Sequence, residues 1–201
     1  MVRTVEDLRH LYGEPSERAR LKELSKLDRH CRRFIELSPF LVIGTADAAG
    51  NADCSPRGDG PGFVQILDDR TLGIPDRPGN NRADTLSNII ANPNVALIFF
   101  VPGINETLRV NGRARVVTDA ALLDRMAVND KVPKSAILVA VEQAFLHCAK
   151  ALIRSRLWDP DMRVERSVYP SLGKVLADQI AGVDAEVAEA SIEQGYREKL
   201  Y

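Results

Sequence analysis

Ten consecutive residues, Asp76-Arg77-Pro78-Gly79-Asn80-Asn81-Arg82-Ala83-Asp84-Thr85, gather two guanidinium groups, two carboxamides and the start of a predicted helix. A phosphate group calls for this donor set. It takes cationic donors, neutral amide donors and the free backbone N–H groups of a helix N-terminus, whose dipole favours an anion. Upstream, Ser55-Pro56-Arg57-Gly58 sets a hydroxyl and a further cation at the end of a predicted strand. Exposed loop polars and a capped helix account for either stretch alone. The two together, neighbours in a meander of strands, point to an anion site. The glycine-dense run Gly58-Asp59-Gly60-Pro61-Gly62 leads into a strand rather than a helix. It is therefore no dinucleotide fingerprint, and turn chemistry accounts for it equally well.

Lys150, Arg154 and Trp158 recur at four-residue steps and would share one face of a helix. Two cations and an indole on one face suit a phosphate or the edge of a planar ring. A surface helix whose Trp packs on the sheet explains the spacing as well. His147 and Cys148 are adjacent, and adjacent strand residues point to opposite faces, so they form no nucleophilic couple. His147 reads instead as a polar contact at a strand end. The sequence contains no GxxxxGK[ST], GxSxG or HExxH motif. No residue stands out as a general acid or base.

These residues need elements to position them. Leu21, Leu24, Leu27, Cys31, Phe34 and Ile35 form one apolar stripe, predicting a helix opened by Ser16 and closed by Ser38-Pro39. Strands follow over 40–46 and 52–57, joined by a turn in which Gly50 takes positive φ, then over 63–67 and 71–74. A short helix runs over 84–91 and stops at Asn92-Pro93-Asn94. Strands over 95–101 and 107–117 come next, the second bent at Gly112, then a helix over 120–128 capped by Thr118-Asp119, and a strand over 136–148. The remainder reads as helices over 151–157, 172–181 and 185–200. Short turns between strands mean antiparallel pairing, and a meander of this kind closes toward a small barrel.

Composition bounds the reading. The 201 residues are 45% hydrophobic, enough for one sizeable core, and 27 basic residues nearly balance 28 acidic ones. Such a balance argues against a nucleic-acid protein that works by bulk electrostatics. No run approaches the roughly 18 apolar residues of a membrane helix, and the N-terminus lacks the pattern of a signal peptide. Cys31, Cys54 and Cys148 stand far apart without a CxxC pair, as do His10, His30 and His147. The expectation is a cytoplasmic protein with reduced thiols and no metal site.

Taken in order, SPRG, RPGNNR, a short helix, NPNVALIF and LRVNGRARV resemble the FMN-binding split barrel of the pyridoxamine 5'-phosphate oxidase family. More narrowly, the chain is similar to a flavin-binding subgroup carrying SPRGD, PGFV and HCAKALIRSRLWDP. The match extends from about residue 38 to residue 160. The resemblance implies a mainly β fold with flanking helices. That fold is a six-stranded antiparallel split β-barrel over 39–149, with an N-terminal helical segment over 1–38 and a helical tail over 150–201, all one domain.

The resemblance also implies a cofactor, FMN, with Arg82 on its phosphate and Asn80 and Asn81 just before it. Asn81 stands where the classical enzyme has arginine, which leaves Arg57 to supply the second charge. Ser55 and Arg57 would run along the flavin ring, with Pro75 and Asp76 at its edge. Thr107 falls where the family places a contact from the neighbouring subunit. Lys150, Arg154 and Trp158, taken from their four-residue spacing, complete the candidate set, and the resemblance implies a homodimer with flavin sites at its interface. Arg57, Arg109 and Lys150 are candidates for the charge that stabilises reduced flavin. Trp158 stands where the classical oxidase has the His of an Arg-x-His element, so the substrate is expected to be a small molecule other than pyridoxamine phosphate. NADH or NADPH is an expected electron donor. Two other readings stay open: a flavin-binding sensor or carrier without turnover, and a split barrel holding a deazaflavin, or haem ligated by His147 or Cys148.

Overall fold

The computed structural model describes residues 1–201. Seven strands form one sheet: β1 (Phe40–Ala46), β2 (Ala52–Gly58), β3 (Gln65–Ile66), β4 (Thr71–Pro75), β5 (Asn94–Val101), β6 (Ile104–Val117) and β7 (Ala136–His147). Their order is β2-β1-β5-β6-β7-β4-β3, antiparallel at every step. The sheet stays open, with β2 and β3 at its edges. This is the split-barrel arrangement, with seven strands where the resemblance implies six. The seven fall where the sequence pattern predicts strands, but of the strand predicted over 63–67 only Gln65–Ile66 pairs, while Phe63 and Val64 are buried in the core.

The hairpins β1–β2, β3–β4 and β5–β6 form as their short turns dictate, and β6 pairs with β7 across the longer connection between them. The remaining pairings, β1 with β5 and β4 with β7, join strands distant in sequence. They occupy the free edges that the two N-terminal hairpins would otherwise expose. Alternation then sets the faces. Leu108 and Val110 of β6 are fully buried while Arg109 between them is exposed. One core of 22 buried residues runs through the molecule, with Ile35, Leu41, Leu72, Phe99 and Ile137 among them. The bend expected at Gly112 is a β-bulge, where the β6–β7 register shifts between Asn111 and Gly112. A Cβ at Gly112 would run into the Ala140 carbonyl oxygen.

The N-terminal helix departs from expectation. It is three pieces, α1 (Val5–Tyr12), α2 (Glu17–Leu21) and α3 (Arg29–Leu37). Between the last two, Leu24 exchanges both backbone hydrogen bonds with Ala144 of β7, at 3.0 and 2.8 Å. Asp28 then starts α3 by accepting from the N–H groups of His30 and Cys31. Backbone pairing to the sheet breaks the stripe, although Leu27, Cys31, Phe34 and Ile35 still reach the core.

Three helices pack near the predicted places: α4 (Asp84–Ala91), α5 (Ala120–Asp124) and α6 (Lys150–Ser155). Beyond two 3₁₀ turns, α7 (Leu172–Gln179) and α8 (Ala185–Glu198) pack on each other, and the Gly173 N–H donates to Glu189 Oε2 at 2.6 Å. No helix is long and apolar enough to cross a membrane.

Candidate functional site

The end of β2, the segment from Pro75 to the first turn of α4, and the loop before β7 enclose a cavity of about 870 Å³. That volume suits a small-molecule or cofactor site. The loop is shaped by its own residues. Asn80 Oδ1 accepts from the Arg82 N–H at 3.1 Å, and Asn81 and Ala83 adopt the left-handed conformation at φ 59° and 55°. Such backbone is costly for a non-glycine residue and concentrates at ligand sites.

Because Ala83 stands at its N-cap, α4 has no side chain on its first free N–H groups. Every other helix except α6 is capped by Thr4, Ser16, Asp28, Asp119, Ser171 or Asp184. The first turn of α4 therefore presents open donors at the cavity. Its position is pinned from the sheet, where the buried Thr85 donates its hydroxyl to Ser55 Oγ at 3.0 Å.

Charge in the cavity is mostly positive. Arg57 bonds only the Pro56 carbonyl, at 2.9 Å, and forms no ion pair. Arg82 is exposed and bonds Asp84 at 2.8 Å. Lys131 and Lys134 also line it. Asp84, paired with Arg82, and Asp76 are the exceptions. Burial pushes the Asp76 carboxyl above the ordinary aspartate value, and Arg57 only partly offsets this.

Of the eleven residues singled out from sequence, seven line this cavity: Ser55, Arg57, Pro75, Asp76, Asn80, Asn81 and Arg82. The other four lie elsewhere in the chain. Thr107 is buried on β6 opposite His147, and Lys150 and Arg154 are exposed on α6. Trp158 donates its indole N–H to the Ile104 carbonyl at 2.9 Å, against the β5–β6 turn. The shared helix face expected for Lys150, Arg154 and Trp158 does not form. The helix stops at Ser155, and Arg156 turns left-handed at φ 52° to pair with Asp159.

Arg77 also departs from its expected role as a phosphate donor. Its Nε donates to Asp59 Oδ2 at 2.7 Å and its Nη1 to the Met126 carbonyl at 2.8 Å, with both side chains of the pair largely buried. Sequence reasoning left the loop of Asp59 open, with turn chemistry one of two equal readings, and passed over Lys131, Lys134 and Tyr201, which no local motif marks. At the far end of β6 and β7, Lys22 and Arg109 lie over the Phe145 ring at 5.0 and 5.3 Å. Burial, with Arg109 and Lys22 nearby, holds the His147 imidazole below its ordinary value, and its Nε2 is buried without a partner.

The family model for pyridoxamine 5'-phosphate oxidase matches residues 27–148. No curated protein matches the sequence. Among similar solved structures, HupZ from Group A Streptococcus superposes with a TM-score of 0.50 at 20% identity, covering 60% of this chain and 93% of that one. An FMN-binding protein from Syntrophomonas wolfei subsp. wolfei gives a TM-score of 0.46 at 11% identity, covering 72% and 97%. The FAD binding protein from Mycobacterium smegmatis gives 0.44 at 19% identity, covering 62% and 97%. The HupZ match shows the fold. With the family model matching more than half of the chain and spanning every strand of the sheet, the chain belongs to the pyridoxamine 5'-phosphate oxidase family.

Proposed function

We propose that this protein is an FMN-dependent oxidoreductase acting on a small molecule, with the flavin phosphate at the N-terminus of α4. One observation carries the reading: an uncapped helix start, framed by Arg57, Asn81 and Arg82, opens onto a cavity large enough for a cofactor. A phosphate dianion satisfies the orphan N–H groups and balances the two guanidiniums. Bound there, FMN supplies the electron transfer, and the protein supplies position and electrostatics. Arg57 and Ser55 orient the ring along β2. Asp76, whose carboxyl burial pushes above the ordinary aspartate value, lines the same cavity.

The same reading makes the protein a homodimer with two equivalent sites. Thr107, Lys150, Arg154 and Trp158, remote from the cavity of their own protomer, then serve the site of the other. The exposed Ile153 and Leu157 beside them suit burial in such an interface. NADH or NADPH is the proposed electron donor. A flavin carrier without turnover is the alternative, and anaerobic mixing with NADH or NADPH separates the two, because only an enzyme bleaches its flavin at a useful rate.

The phosphate assignment is tested by titrating the ligand-free protein with FMN and with riboflavin. FMN binds at least about tenfold more tightly if two charge-assisted contacts form. Equal affinity for both ligands contradicts the placement.

A further inference from the structure

One wall of the cavity comes from outside the sheet. After α8, the chain brings Tyr201 to the cavity, where its phenol donates to Asp59 Oδ1 at 2.7 Å across 142 residues of sequence. The Gly60 N–H donates to the same oxygen at 2.7 Å, and Arg77 Nε holds the other oxygen at 2.7 Å. The Arg77 guanidinium lies 5.6 Å from the centre of the Tyr201 ring. Lys131 Nζ donates to the Tyr201 carbonyl at 3.1 Å.

The anchor is no loose rim contact, since the side chains of Asp59 and Arg77 are only 6% and 15% exposed. Burial raises the Asp59 carboxyl, but the Tyr201 phenol, the Gly60 N–H and Arg77 outweigh it and keep the group ionised. A phenol donating to an ionised carboxylate makes a strong, directional bond. Phe63 and Tyr201 are the two aromatic rings among the residues that line the cavity.

We infer that Tyr201 is an aromatic wall of the cofactor cavity, fixed by the Asp59–Arg77 pair, and that the segment after α8 thereby governs retention of the planar ring bound there. The inference rests on the flavin reading for the identity of the ring. A purely structural anchor would change stability and leave retention untouched.

The test measures FMN affinity and release in wild type, Tyr201→Ala and Tyr201→Phe. Tyr201→Ala is expected to weaken FMN roughly three- to tenfold, mostly through faster release. Tyr201→Phe keeps the ring but loses the anchor and falls between. Unchanged affinity and release in both variants overturn the inference.

A second arm needs no flavin. A Ser135→Cys thiol on the cavity lining is alkylated in ligand-free protein, with and without Tyr201→Ala, and followed peptide by peptide by mass spectrometry. Labelling several-fold faster without the tyrosine supports the wall, and equal rates overturn it. If wild type takes up no FMN, the flavin reading fails, and this arm alone decides whether Tyr201 closes the cavity. Faster labelling with unchanged FMN retention also overturns the inference.

Discussion

Thr85 donates its hydroxyl to Ser55 Oγ at 3.0 Å, and this bond ties the first turn of α4 to the middle of β2. The two stretches that carry the donor set are thereby held at a fixed spacing, with the helix N-terminus facing the strand that bears Arg57. Thr85 is buried, so Thr85→Val leaves the Ser55 hydroxyl short of its donor while keeping side-chain volume. The expected cost is about 1 kcal/mol of stability, by urea denaturation, together with weaker FMN binding. Wild-type values for both would show that the bond positions nothing.

Arg82→Ala and Arg57→Ala are expected to lower the flavin content of purified protein far more than the turnover per bound flavin. In the proposed site both groups would act by position and charge, and neither is placed as a proton donor. Flavin occupancy equal to wild type in both variants would contradict their role.

Asp76 gives a pH signature. Its folded-state pKa lies above the unfolded value because burial disfavours the ionised form. The protonated carboxyl thus contributes stability that is fully present below about pH 3.9 and lost as pH rises through the folded pKa. Asp76→Asn, neutral throughout, should therefore gain stability relative to wild type as pH rises from about 4 toward 7. Denaturation at a series of pH values in ligand-free protein reads this directly. A pH-independent difference between the two would contradict the assigned shift.

Gly112 tests the sheet that carries the site. The bulge it forms brings β6 against the Ala140 carbonyl with no room for a Cβ. Gly112→Ala is expected to destabilise the protein by about 2–3 kcal/mol, seen as a lower urea midpoint with little change in slope. An unchanged midpoint would mean that β6 and β7 separate without cost.

Much of this was legible because the signals are local. Pro93 and its flanking asparagines end α4 where expected, Gly50 makes the β1–β2 turn, and the donor-rich stretch lies on the cavity. What stayed hidden depends on partners distant in sequence. Nothing near Leu24 announces that Ala144 will claim its backbone groups and interrupt the helix. Arg77 reads as a phosphate donor until the fold places Asp59 beside it, and Asp59 in turn meets Tyr201 only in the folded chain. The end of α6 is hidden for another reason. Its left-handed stop is Arg156, a residue with no preference for that conformation, so four-residue spacing carries the eye through to Trp158.

The most direct test of the central claim is the visible absorption spectrum of purified protein, recorded again after adding FMN and desalting. The account predicts flavin bands near roughly 370 and 450 nm that survive desalting. A protein that stays colourless after FMN addition, or shows a Soret band instead, would contradict it.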